Sequence, residues 1–230
     1  RVASRGLGDV YKRQSLRNLT IIRGGDMIVA NWDYKVTASK AVDAYKIASK
    51  YFEKYGSIGT ALQNHLGKKT GLYTFIAGFN NNEHFGDVDD KISHDEEFAK
   101  EMEPYFEITS WEAMNFYTSR LHNMEPDPGV KNCFAFWGFS HNDEGLVLKE
   151  SETFFKYWMD AGANGGSVGQ LRGTDDGTWG FGIRFQSMKD YGIAQDKLNA
   201  DGVFANHKKF FDGITWHGFN LSRVLETNWD

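Results

Sequence analysis

Apolar and polar residues alternate through the segment 28–36, which gives the clearest local pattern in the chain. A period of two indicates a β-strand whose two faces meet different surroundings. One face carries Ala30, Trp32, Tyr34 and Val36, and the other carries Asn31, Asp33 and Lys35. The next segment, 39–55, has apolar residues at helical spacing and ends before Gly56, a suitable residue for a helix C-terminus. The chain is therefore predicted to begin with a strand followed by a helix.

The remaining segments divide into strands and helices by the same criteria. Strands are predicted at 60–66, 72–79, 109–117, 134–139, 168–173, 178–185 and 215–221, and helices at 95–106, 146–161 and 204–211. The acidic run from Glu83 to Glu107 is interpreted as a solvated loop and helix face. It does not match a calcium loop, because Lys91 and Ile92 stand where an oxygen ligand and the turn glycine should be.

The second half of the chain resembles the first when the two are aligned at an offset of about 106 residues. The aligned pairs include Gly71 with Gly177, Phe75 with Phe181, Phe79 with Phe185, Trp111 with Trp216 and Asn115 with Asn220. The matches occur in order with one small gap, which indicates an internal duplication. Between the halves, Pro126 and Pro128 mark a linker.

Each half has the predicted order β-α-β-β-α-β, which is that of a ferredoxin-like unit. We assign residues 26–121 to the first repeat, 122–130 to the linker and 131–228 to the second repeat. A four-stranded sheet with helices on one face leaves its other face bare, so we expect the two units to cover each other. The predicted fold class is α+β, with two ferredoxin-like repeats that form one pseudo-twofold α/β barrel.

This topology, duplication and aromatic patterning over about residues 26–228 resemble the dimeric α+β barrel superfamily in its fused two-copy form. That superfamily includes antibiotic-biosynthesis-type monooxygenases, haem-degrading and haem-binding relatives, and EthD-like and NIPSNAP-like proteins. The resemblance implies a pocket within the barrel or between its sheet and a helix. It also implies a monomer, because the second repeat supplies the partner that single-copy relatives obtain by dimerising.

The composition narrows the classes of partner. Apolar residues make up 40% and charged residues 25% of the chain, and the net charge is -5, so we expect no nucleic-acid partner. No apolar run approaches the roughly 18 residues that a membrane span needs. The single cysteine, Cys133, excludes an internal disulfide and does not indicate a compartment.

Residues 1–14 have a foreign composition. Asp9-Val10-Tyr11-Lys12-Arg13-Gln14 looks like the translation of a transposon-end sequencing adapter, so we interpret this segment as non-native. The alternative is an ordinary basic N-terminal arm. Under the adapter interpretation a signal peptide could have been lost, and no localisation is predicted.

The last predicted strand of each half carries a Trp-x-x-x-Asn pattern, formed by Trp111 with Asn115 and by Trp216 with Asn220. Alternation would place each ring and amide on one surface. A buried amide needs partners for both of its ends, and a ligand could provide them. In the alternative interpretation, the tryptophan fills the core and the asparagine bonds to backbone near a bulge.

Three further strand residues are candidates for ligand binding. Arg184 shares a predicted face with Gly180 and Gly182, which would leave a cavity with a cation at its edge, suited to a carboxylate or enolate. In the alternative, the glycines admit a helix and Arg184 extends to solvent. Asn31 on the first strand and Trp137 on its counterpart complete this set.

The histidines show no metal-binding spacing, so no metal and no cofactor are predicted. His217 takes the position that Glu112 has in the first half, so the two ends of the barrel should differ chemically. Beside a Trp-lined cavity it could act as a proton shuttle or an axial haem ligand. A surface histidine, or one satisfied within the core, is the alternative.

Two functions remain open, and the sequence does not decide whether the protein is an enzyme. The first is a small-molecule-binding barrel whose aromatic-lined cavity takes a small apolar or aromatic ligand. The second is a cofactor-independent monooxygenase, or a haem-handling relative, that acts on an aromatic substrate. In the second, a Trp/Asn/Arg cluster would stabilise a carbanion or enolate. No catalytic residue is assigned.

Overall fold

The first regular pairing in the chain joins a short strand, β1 (Ile22–Arg23), to a strand much later in the sequence. We describe residues 22–23, 27–67, 69–124, 132–173 and 176–229 of a computed structural model. Residues 1–14 and the positions 125–130 of the predicted linker lie outside this part of the chain. Positions 174 and 175, between the predicted strands 168–173 and 178–185, do so too.

Nine strands and six α-helices make up the described structure. The strands are β1 (Ile22–Arg23), β2 (Ile28–Lys35), β3 (Gly59–Gly67), β4 (Tyr73–Phe79), β5 (Ser110–Met124), β6 (Cys133–Ser140), β7 (Gly165–Gly173), β8 (Trp179–Phe185) and β9 (Thr215–Thr227). The helices are α1 (Ala38–Lys54), α2 (Asn82–Ser93), α3 (Glu96–Phe106), α4 (Glu144–Asp160), α5 (Met188–Asp201) and α6 (Lys208–Asp212), with a 3-10 turn at Val203–His207.

Eight of the strands close into one antiparallel barrel. The hydrogen-bonded order is β5-β2-β4-β3-β9-β6-β8-β7, and β7 pairs with β5 to complete the circle. The first half of the chain contributes four adjacent strands and the second half contributes the other four. Two seams join the halves, β3 with β9 and β5 with β7. β1 pairs with β5 beyond the end of β2.

The apolar sheet faces point outward, toward the helices. One core lies beneath the helices of the first half and includes Ala30, Phe52 and Phe75. The other lies beneath those of the second half and includes Phe155 and Trp158. The expectation that each half would cover the bare apolar face of the other is therefore wrong. The faces that meet inside the barrel are the mixed ones, such as the face with Asn31 and Asp33.

All eight predicted strands and the first helix of each half are confirmed, and most ends agree within a few residues. β9 is an exception, because it continues to Thr227 beyond its predicted end at 221. Sequence patterning missed α2 and α5, where charged residues interrupt the apolar spacing. Side-chain caps identify both helix starts: Asn81 accepts a hydrogen bond from the backbone N–H of His84, and Ser187 from that of Asp190. β5 also extends to Met124, so its last three residues fall within the predicted linker.

The seam between β5 and β7 depends on a close backbone approach at Gly169, which pairs with Ser119. A Cβ atom at this position would lie 2.2 Å from the carbonyl oxygen of Thr118, and this backbone atom cannot move without distorting β5. Only glycine therefore fits at this point of the seam.

We expect Gly169→Ala to destabilise the protein by about 1–3 kcal/mol, the usual cost of overpacking, as measured by urea unfolding. Gly192→Ala is the matched control. Gly192 lies inside α5, and its Cβ would meet nothing within 4 Å. There alanine should stabilise the helix by about 0.5–1 kcal/mol. Equal effects of the two substitutions would contradict the close approach at the seam.

Candidate functional site

The barrel encloses a cavity of about 400 Å³ to which all eight of its strands contribute side chains. Four of the lining residues are aromatic, namely Tyr117, Phe134, Phe136 and Trp229. Many of the others are polar. The cavity is therefore amphipathic, and most of the aromatic residues of the chain pack outside it, beneath the helices.

Five of the eight residues proposed from the sequence line this one cavity: Asn31, Asn115, Arg184, His217 and Asn220. Asn31 and Asn115 are directly opposite each other across the β2–β5 pair. Asn220 accepts a hydrogen bond from the backbone N–H of Lys69 through its Oδ1, at 3.1 Å. The asparagines that the repeat singled out thus face the interior of the barrel.

The three tryptophans of the predicted site do not reach the cavity. Trp111 and Trp216 are 51% and 53% exposed on the outer surface. A β-bulge in each strand causes this. Tyr34 pairs with Trp111 while Asp33 pairs with Ala113, so Glu112 is the extra residue. The extra residue shifts the alternation by one position, and the ring turns away from the face that Asn115 occupies.

The bulge recurs in β9. There Phe139 pairs with Trp216 and Gly138 pairs with Gly218, so His217 is the extra residue. His217 lies at the mouth of the cavity, where its Nε2 is 2.6 Å from the hydroxyl oxygen of Ser140. Its counterpart Glu112 forms an ion pair with Lys35 at 3.1 Å. The expected chemical difference between these two positions is present.

Trp137 faces outward because it follows Phe136, which faces inward. Its ring packs on Trp158 and Phe219, with centroids 5.5 Å and 5.1 Å away. Trp137 therefore belongs to the core between sheet and helices and not to the cavity.

The glycines next to Arg184 neither leave open cavity space nor make room for a helix, the two roles inferred from the sequence. A Cβ at Gly180 would lie 2.3 Å from the ring of Phe136, and one at Gly182 would lie 2.5 Å from the ring of Phe134. The phenyl rings of β6 fill this space inside the barrel. Arg184 donates from Nη2 to the backbone oxygen of Asn164 at 3.1 Å. Its guanidinium group is therefore anchored at the cavity wall.

The most concentrated chemistry in the cavity is a cluster that the sequence patterns did not single out. We call it the Asp33 cluster; its members are Asp33, His65, Lys69 and Thr74. Lys69 Nζ lies 2.5 Å from Asp33 Oδ2. The hydroxyl of Thr74 donates to Asp33 Oδ1, and His65 Nε2 lies 2.5 Å from that hydroxyl oxygen.

Strand register brings the Asp33 cluster together. Asp33 pairs with Thr74 across β2 and β4, and Thr74 pairs with Gln63 across β4 and β3. His65 is the next residue on the inner face of β3. Alternation along the first strand placed Asp33 on the same face as Asn31, so Asp33 could have been predicted as a site residue. Lys69 could not, because it lies in a loop and belongs to no periodic pattern.

Burial governs the ionisation of His65, which is 8% exposed. Removal from water lowers its pKa to about 4, with Asp33 acting to raise the pKa and Lys69 to lower it. His65 is therefore uncharged at neutral pH. Its other ring nitrogen, Nδ1, is buried and has no hydrogen-bond partner among the described residues.

The C-terminal residues cover another part of the cavity. Asn228 accepts hydrogen bonds through Oδ1 from the backbone N–H and the hydroxyl of Thr60, at 2.6 Å and 2.8 Å. This anchors Trp229, whose ring packs against Gly78. A Cβ atom at position 78 would lie 2.6 Å from that ring. Gly78 and Thr74 are four residues apart on β4, so Trp229 and the Asp33 cluster lie toward opposite ends of the cavity.

The three histidines of the cavity, His65, His122 and His217, each have one ring nitrogen near a hydroxyl group. His65 and His217 each direct Nε2 at a hydroxyl group, and His122 Nδ1 lies 3.5 Å from that of Ser119. An axial ligand needs a ring nitrogen directed at the metal. Among the described residues there is no group of three or more His, Cys, Asp or Glu side chains arranged to hold a metal ion.

No protein-family model matches the sequence, and no curated protein matches it. Solved structures do share the fold. An anthrone oxidase-like protein is 16% identical, with a TM-score of 0.60 over 90% of this chain and 95% of that one. A candidate monooxygenase from Fusobacterium nucleatum is 10% identical, with a TM-score of 0.59 over 88% and 94%. A haem-binding protein from Thermus thermophilus is 13% identical, with a TM-score of 0.51 over 90% and 93%.

These likenesses establish an α+β fold with a closed barrel, in agreement with the resemblance inferred from the sequence. At such low identities they show the fold alone. Within the described residues, no helix combines the length and apolar character required to cross a bilayer.

The depressed pKa of His65 predicts a pH dependence of stability. Between about pH 6.5 and pH 4 the unfolded chain binds a proton at this residue and the folded chain does not. Stability should therefore fall as the pH drops through this window, by about 3 kcal/mol at most. Urea unfolding of His65→Gln and wild type at several pH values measures this contribution.

The variant His94→Gln is the control, because His94 is exposed on the surface. It should keep the wild-type pH dependence, whereas His65→Gln should show a shallower one. Parallel curves for His65→Gln and the wild type would show that burial of His65 does not depress its pKa.

Proposed function

We propose that this protein binds one small organic molecule inside the barrel. The observation that carries the proposal is the cavity of about 400 Å³ enclosed by all eight strands, with polar side chains on its wall. Its volume lies within the range of roughly 300–1,000 Å³ that is usual for small-molecule sites.

The lining favours an amphipathic ligand over a purely apolar one. Phe134, Phe136 and Ile76 offer apolar surface, while Asn31, Asn115 and the Asp33 cluster offer hydrogen bonds. An aromatic compound with polar substituents combines both properties. This changes the emphasis of the sequence-based hypothesis, which expected a cavity walled mainly by aromatic rings.

The second candidate function is cofactor-independent oxygenation of an electron-rich aromatic compound. Its support is the fold shared with an anthrone oxidase-like protein and a candidate monooxygenase. Such a reaction converts the CH2 carbon of anthrone to a carbonyl, with O2 as the oxidant and one oxygen atom released as water. The haem-handling variant has less support, because the cavity histidines are directed at hydroxyl groups.

We also propose that the two halves are copies of one ferredoxin-like unit and that the protein is a monomer. The support is their common strand order, β5-β2-β4-β3 and β9-β6-β8-β7, and the bulges beside Trp111 and Trp216. Because both seams lie within one chain, a second chain is not needed to close the barrel.

The test of binding is a thermal-shift screen of hydroxylated and unsubstituted aromatic compounds. A ligand at a hundredfold its Kd should raise Tm by roughly 5–10 °C. Ile76→Trp fills the cavity from its wall and should abolish the shift. Ile193→Trp is the matched control on the outside of α5, where Ile193 is 54% exposed, and it should keep the shift. A shift that persists in Ile76→Trp would place binding elsewhere.

Oxygenase activity is tested with anthrone and a polyphenol panel in an oxygen electrode. Activity in the cavity predicts oxygen uptake by the wild type and Ile193→Trp, and none above background by Ile76→Trp. Uptake by none of the three would eliminate this second function without affecting the binding proposal. Adding haemin and recording the Soret band tests the haem variant, for which we expect no shift.

A further inference from the structure

The cavity wall formed by β2, β4 and β3 changes from polar to apolar along the strands. From the Asp33 cluster toward the other end of the barrel, each strand passes from polar inward residues to apolar ones or glycine. In that order they are Asp33, Asn31 and Val29 on β2, Thr74, Ile76 and Gly78 on β4, and His65, Gln63, Ala61 and Gly59 on β3. This wall therefore suits a molecule that is polar at one end and apolar at the other.

Trp229 closes the apolar end of this wall. Its indole lies across two glycines that pair with each other, Gly59 on β3 and Gly78 on β4. A Cβ atom at position 59 would lie 3.0 Å from Cγ of the indole, and one at position 78 would lie 2.6 Å from its Cη2. Both glycines belong to the inner faces of their strands, so the ring occupies space inside the barrel.

The position of Trp229 is fixed by its neighbours in the chain. Besides its two bonds from Thr60, Asn228 donates from Nδ2 to the hydroxyl oxygen of Ser49 at 3.1 Å. The backbone N–H of Trp229 donates to Thr227 Oγ1 at 3.1 Å. Thr60 and Ser49 are buried, so water does not compete freely for these bonds. The indole is therefore a defined part of the cavity wall.

The second half has a different end at the equivalent place. The paired residues that correspond to Gly59 and Gly78 are Gly165 and Arg184. An arginine thus stands where the first half has the glycine beneath the indole, and its guanidinium group is anchored on the backbone of Asn164. The apolar end is therefore confined to the wall of the first half, and a ligand that uses it lies along β4.

We propose that Trp229 limits the length of the ligand. The ligand lies along β4 with its polar group toward the Asp33 cluster and an apolar extension toward the indole. This rests on the proposed binding function and adds the ligand class, which is an aromatic compound with a polar group at one end and a short apolar extension at the other. Thr74 and Gly78 are separated by about 13 Å, with Ile76 between them. A longer extension would have to displace the indole.

The test is a calorimetric titration with 4-n-alkylphenols of increasing chain length. For the wild type, we expect the Kd to fall about fourfold per added methylene group until the chain reaches the indole, and to rise beyond that limit. In Trp229→Ala the limit should move to chains longer by several methylene groups. An alkylphenol two methylene groups beyond the wild-type limit should bind this variant about tenfold more tightly than the wild type.

Trp216→Ala is the matched control, because Trp216 is 53% exposed on the outer surface. It removes the same side chain and should keep the wild-type limit. A limit that moves equally in both alanine variants would contradict a specific role of Trp229.

A second variant tests the limit without altering the C-terminal residues. Val29 is half-buried, lines the cavity and pairs with Gly78, so it lies beside the indole. Phe134 has the equivalent position in the second half, since it pairs with Arg184. Val29→Phe should therefore be accommodated and should shorten the longest tolerated chain by at least one methylene group. An unchanged limit in this variant would show that the extension does not lie along this wall.

The outcomes separate this inference from the proposed function. If alkylphenols bind with the same limit in the wild type and in Trp229→Ala, and Ile76→Trp blocks them, the cavity binds ligands but the role of Trp229 is refuted. If no alkylphenol binds the wild type, the proposed ligand class and the role of Trp229 are refuted together. The thermal-shift screen then decides the binding function independently.

Discussion

Hydrogen bonding between strand edges at two seams, β3 with β9 and β5 with β7, is the interaction on which the rest of the structure depends. Each half alone is a four-stranded sheet with two open edges, and an open edge presents unpaired N–H and C=O groups to other chains. Pairing the four edges satisfies these groups and, in the same step, encloses the cavity. The large apolar surfaces are covered by the helices of each half. The inner faces are thereby free to carry asparagine, aspartate and histidine side chains.

The sequence was sufficient to predict the strands, the first helix of each half and the barrel, because local periodicity and the similar order of elements in the two halves indicate these features directly. It was insufficient for α2 and α5, where helix formation depends on caps at Asn81 and Ser187 more than on an apolar stripe. The sequence-based prediction also placed the apolar sheet faces at the centre of the barrel, where the mixed faces lie instead. Alternation shows that β2 has two different faces, but it does not show which face turns toward the helices.

The residues of the candidate site were likewise predictable only in part. Asn31, Asn115 and Asn220 could be assigned to the interior because alternation holds at these positions. Trp111 and Trp216 could not, because a bulge reverses the alternation and depends on the pairing of two strands. The Asp33 cluster draws on three strands and a loop, and only the registers between β2, β4 and β3 bring its members within contact. A pattern in a single sequence shows which residues share a face of a strand, but it does not show how neighbouring strands are aligned.

The seam between β3 and β9 has a consequence for how the chain folds. It joins Ala61 to Thr227, so a contact that completes the barrel spans most of the sequence. Contacts of high sequence separation form late and slow the folding reaction. Until then each half exposes two edges of matching shape to any other molecule of the same protein. At high concentration, pairing between the open edges of two chains therefore competes with closure of the barrel within one chain.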